Sequence, residues 1–69
     1  SNAFASSSGF TALYVNIPAS SWTGTQALEL TTFTTVYTGP NATGYDAAWK
    51  AAQATTATVQ SWTNYPNIP

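Results

Sequence analysis

From Gln26 to Thr38 the chain alternates without a break. Leu28, Leu30, Thr32, Thr34 and Val36 fall on one side, and Glu29, Thr31, Phe33, Thr35 and Tyr37 on the other. A period of two is that of a β-strand, and β-branched and aromatic residues favour that state. Both sides carry apolar groups, so the strand needs cover on each face and cannot stand alone. It reads as one strand, or as a pair bent near Thr31 and Thr32. A shorter alternation from Phe10 to Ile17 places Leu13, Val15 and Ile17 together as a first strand. Pro18 stops it, and Ala19 to Thr25 forms a turn-rich connector.

The run Gly39-Pro40-Asn41-Ala42-Thr43-Gly44 reads as a loop. Thr43 and Asp46 then have the spacing of a capping box, which predicts a helix start. From Tyr45 to Thr63, the residues Tyr45, Ala48, Trp49, Ala52, Thr56 and Val59 recur at helical spacing, and Asp46 precedes Lys50 by one turn. Asn64 and Pro66 end this predicted helix. Its back carries Ala47, Ala51, Ala54 and Ala57, which are good helix formers and also let another backbone approach closely.

The expected fold is therefore α+β: a small antiparallel sheet of two or three strands followed by one C-terminal amphipathic helix packed on it. Residues 10–64 form the single domain, residues 1–9 a flexible N-terminal segment, and residues 65–69 an extended tail. Ser1-Asn2-Ala3 reads equally as a tag-cleavage scar or as a natural mature N-terminus and is left out of the fold argument. Leu13, Val15, Ile17, Leu28, Leu30 and Val36 are expected to pack against Trp49, Ala52 and Val59. Phe4 to Ile17 has a second reading, as an arm that adds a strand to a neighbour's sheet.

A chain of 69 residues barely supports a core of its own, and with no Cys and no His it has neither disulfides nor the usual structural metal ligands. Association is the remaining source of stability. Only Glu29, Asp46 and Lys50 are charged, 4% of the chain against roughly 25% in ordinary soluble domains. One Lys cannot hold a phosphate backbone or an anionic bilayer, so no nucleic acid partner and no membrane insertion are expected. No cofactor and no catalysis are expected either. The only carboxylates are Glu29 and Asp46, Asp46 is better used at the helix start, and no calcium-loop pattern occurs.

A surface of Thr, Ser and Asn with almost no charge suits contacts more than chemistry. The expected function is a non-enzymatic extracellular structural subunit that self-assembles, as homo-oligomer or larger assembly, into a fibre, pilus-like filament or surface layer. One alternative is a secreted carbohydrate-binding module, to whose composition this Thr-, Asn- and Trp-rich chain is similar; another is a fragment of a larger secreted protein. Candidate ligand or interface aromatics are Trp22, Tyr37, Trp62 and Tyr65, whereas Trp49 is read as core. Asn41, in Asn41-Ala42-Thr43, is a candidate N-glycosylation acceptor.

Overall fold

A computed structural model of the chain describes residues 11–22 and 33–68. Three short strands, β1 (Ala12–Val15), β2 (Thr35–Thr38) and β3 (Thr58–Ser61), form one sheet in the order β1-β2-β3. Both pairings are parallel, which overturns the antiparallel sheet expected from the sequence. The segments between strands explain the direction. Antiparallel neighbours are joined by tight hairpins, whereas parallel strands need a crossover of about a dozen residues or more. Here the chain travels from residue 16 to 34, and again from 39 to 57, before it re-enters the sheet.

The only α-helix among the described residues, α1 (Ala47–Gln53), lies in the second crossover and not at the C-terminal end of the fold, and the first crossover opens with a single 3-10 turn, Ala19–Ser21. Asp46 is its N-cap, extended at φ −106° and ψ −172°, and its Oδ1 accepts from the Trp49 N–H at 2.9 Å. Such a cap contributes about 1 kcal/mol. The helix thus starts later than the capping box and the reading from Tyr45 place it, with its N-cap three residues after Thr43 at Asp46. Thr43 instead gives its carbonyl to the Ala19 N–H at 2.8 Å. Ala54 ends the helix in the left-handed conformation, φ 56°, with its N–H on the Ala51 and Lys50 carbonyls. The predicted continuation to Thr63 fails because Thr58–Ser61 pairs in parallel along β2, from Thr35↔Thr58 to Thr38↔Ser61.

Side chains of opposite parity face opposite sides of the sheet. Val15 and Val36 point into a core shared with Phe33, Tyr45, Trp49 and Ala57, and Leu13, Val59, Trp22, Ala19 and Ala42 pack around it. Val36, at the centre of the middle strand, is fully buried. Of the expected core, Ile17 is 47% exposed and Ala52 is exposed, while Gln53 takes the buried helix position one turn after Trp49. Leu28 and Leu30, the remainder of the long predicted strand, and residues 1–9 with the donated-arm reading of that stretch lie outside the described residues.

The register carries the main result. Ala12 pairs with Thr35 and Thr35 with Thr58, a shift of 23 residues each time. The same ladder extends past the strands: the Thr34 N–H donates to the Thr11 carbonyl at 2.8 Å, the Gly39 N–H to Val15 at 2.8 Å, and the Trp62 N–H to Thr38 at 2.8 Å. With that shift in hand the sequence shows a repeat, since Phe10, Thr11, Tyr14 and Ala19 recur as Phe33, Thr34, Tyr37 and Ala42. Thr35, Val36 and Asn41 recur as Thr58, Val59 and Asn64. Each 23-residue coil contributes one strand, and among the described residues successive strands pair side by side in parallel at the same register. That is the construction of a solenoid.

Candidate functional site

Two aromatic clusters form on opposite sides of the sheet, and they divide the sequence-derived candidates. Trp22 belongs to the inner one. Its indole N–H donates to the Tyr45 hydroxyl at 3.0 Å, and that hydroxyl donates to the Ile17 carbonyl at 2.7 Å. Trp49 meets both rings edge-on, with centroids 5.9 Å from Trp22 and 4.7 Å from Tyr45. Trp22 and Tyr45 occupy equivalent coil positions, 22 and 45, so the chain uses an aromatic wedge at the same point of successive coils. Burial pushes the Tyr45 hydroxyl above its ordinary pKa of 10.0, and the hydrogen bond from Trp22 offsets part of the rise. The Trp49 indole nitrogen is buried without a partner among the described residues.

The outer face brings together Tyr37, Trp62 and Tyr65, and adds Tyr14. Tyr14 and Tyr37 are directly paired across β1 and β2 and stack with centroids 4.7 Å apart and planes 13° apart. Trp62 stands edge-on to Tyr14 at 5.1 Å, and Tyr65 edge-on to Trp62 at 4.9 Å. The tail that carries these two rings is pinned twice. The Trp62 indole N–H donates to the Asn67 carbonyl at 3.0 Å, and the Asn16 amide donates to the Tyr65 hydroxyl at 2.9 Å. Tyr14, Tyr37, Ser61, Trp62, Thr63 and Asn64 enclose a cleft of about 90 Å³. Tyr14 was missed by sequence reasoning, although its recurrence as Tyr37 was the available signal.

Asn16 links the coils at the strand ends. Its Oδ1 accepts from the Asn41 N–H at 2.7 Å, and its side chain lies over Gly39, its equivalent one coil later. A Cβ at Gly39 would stand 2.5 Å from that Oδ1 and 2.8 Å from Cγ, so any larger residue here must displace the Asn16 side chain. Asn41 itself is exposed in the turn that follows β2.

A second concavity, about 560 Å³, lies at the end of the stack beside β3. Asp46, Ala47, Lys50 and Ala51 of the capped helix form one wall, and Thr58 and Val59 of β3 another. Asp46 and Lys50, the only charged side chains among the described residues, both lie here; Glu29 falls outside those residues. No helix among the described residues is long and apolar enough to cross a membrane. No family model, no curated protein and no solved structure matches this chain.

Proposed function

We propose that this chain is a run of a parallel-β solenoid that serves as a non-enzymatic extracellular structural module and is extended by adding coils of its own kind end to end. The observation that carries the reading is the equal shift of 23 residues in both strand pairings. That coil length, with one strand per coil and a helix in the return between β2 and β3, lies within the range of solenoids of the leucine-rich-repeat type. In such an array each coil touches only its neighbours, and stability grows with the number of coils. The low charge and the hydroxyl-rich composition support an extracellular, assembled setting.

The end beside β3 supports extension. Among the described residues β3 has a strand partner on one side only, and a free strand edge is a template for another strand. Translating α1 by one coil brings a return segment into the concavity walled by Ala47, Ala51 and Val59, whose small side chains leave room for it. A second copy offering β1 in the same register would set Thr58 opposite Ala12 and Val59 opposite Leu13. Such a contact is head-to-tail and need not close, so it generates a filament and not a closed dimer.

Sedimentation velocity over a range of concentrations tests this. The expected result is growth to species well above 7.3 kDa, and its loss in Ala51→Arg, an exposed position at which the larger side chain leaves the circular dichroism spectrum unchanged. A stable monomer at every concentration would contradict extension by second copies.

A further inference from the structure

We propose that the outer-face cleft between Tyr14, Tyr37 and Trp62 is a subsite for an uncharged sugar ring within a polysaccharide. Tyr14 and Tyr37 stack face to face on successive coils, with centroids 4.7 Å apart and planes 13° apart, so the pair forms one apolar wall of the cleft, and Trp62, edge-on to Tyr14, forms another. Small-ligand sites combine such aromatic walls with a few polar groups that fix orientation. Here the polar lining is Ser61, Thr63 and Asn64, whose hydroxyl and amide groups both donate and accept, as the adjacent hydroxyls of a sugar require.

Charge selects among ligands. No charged side chain among the described residues lines the cleft, and Lys50, the one cationic side chain of the sequence, lies at the concavity beside β3, so a sulfated or carboxylated ligand finds no counter-charge here. A proline-rich peptide also docks on aromatic grooves, but its carbonyls need donors from the groove. The Trp62 indole N–H is already given to Asn67, which removes the strongest donor of the cluster from that role. The site is formed within one chain, so it does not depend on assembly.

Affinity electrophoresis of the intact chain through gels cast with soluble glucan, mannan, xylan or galactan provides the test. Retardation is expected in at least one of these neutral gels and is expected to persist in high salt. Asn64→Ala changes an exposed side chain and should weaken retention about tenfold, as should Tyr37→Ala where it folds, while Trp22→Phe in the inner cluster leaves it intact. Absence of retardation in all four gels would overturn the proposal. So would retention by a sulfated polysaccharide alone, competition by oligoproline, or unchanged retention in a folded Asn64→Ala chain.

Discussion

Replacing Gly39 by alanine probes the coil stacking where two coils come closest. The added methyl would sit 2.5 Å from Asn16 Oδ1 and 2.8 Å from its Cγ, with Gly39 itself buried, so Asn16 must move. Overpacking of this kind costs about 1 to 3 kcal/mol. Moving Asn16 also breaks its bonds from the Asn41 N–H and to the Tyr65 hydroxyl, at about 0.5 to 1.5 kcal/mol each. The expected loss is about 2 to 6 kcal/mol, to be set against a total stability of about 3 to 10 kcal/mol for a chain of this length. Urea unfolding followed by tryptophan fluorescence measures it.

A double-mutant cycle separates the causes. Asn16→Ala alone loses the two hydrogen bonds and removes the Oδ1 and Cγ contacts, leaving only the residue-16 Cβ at 3.1 Å from the added methyl, so Gly39→Ala should cost much less in that background than in the native chain. If the two substitutions add independently, or if Gly39→Ala alone is neutral, Asn16 does not lie over Gly39 and the coil stacking described above is wrong.

Ala54 holds a left-handed conformation at φ 56°, which glycine adopts without strain, so Ala54→Gly should stabilise the fold by about 1 kcal/mol in the same urea assay. Tyr45→Phe leaves the Trp22 indole and the Ile17 carbonyl without their partner and should cost about 1 to 3 kcal/mol. Because the folded pKa of Tyr45 lies above its unfolded value of 10.0, the folded chain holds this proton more tightly. Its contribution is therefore complete below pH 10 and is lost as pH rises through the folded pKa. Alkaline titration of the unfolding midpoint should show that fall in the native chain and a weaker one in Tyr45→Phe.

Much of the inner face could be read from alternation: Leu13 and Val15 face inward as expected, as do Val36 and Trp49. Strand direction could not, because alternation has the same period in parallel and antiparallel sheets, and only the partner residues decide between them. The repeat was hidden by its chemistry. The inner ladder Leu13, Val36, Val59 keeps shape more than identity, and Tyr14 and Tyr37 give way to Gln60 in the third strand. The helix was overextended because Thr56 and Val59 fit its period by coincidence, and because Ala54 gives no Gly or Asn stop signal.

Among the candidate aromatics, Tyr37, Trp62 and Tyr65 do converge on one face. Trp22 looked exposed because its neighbours are turn-forming residues. Its coil position, equivalent to Tyr45, turns it into the core instead. That equivalence follows from the register, which no local reading of residues 19–25 contains.

The 23-residue register is the claim on which the solenoid reading rests, and the absence of native cysteine makes it directly measurable. In the parallel register Thr35 lies opposite Thr58, whereas an antiparallel pairing of the same two strands would set it opposite Ser61. Two double variants, Thr35→Cys with Thr58→Cys and Thr35→Cys with Ser61→Cys, can be oxidised under identical conditions and their free thiols counted by mass. The coil register predicts an intramolecular disulfide in the first and free thiols in the second, since a disulfide forms only between closely apposed Cβ atoms. Cross-linking of the second pair in preference to the first would contradict it.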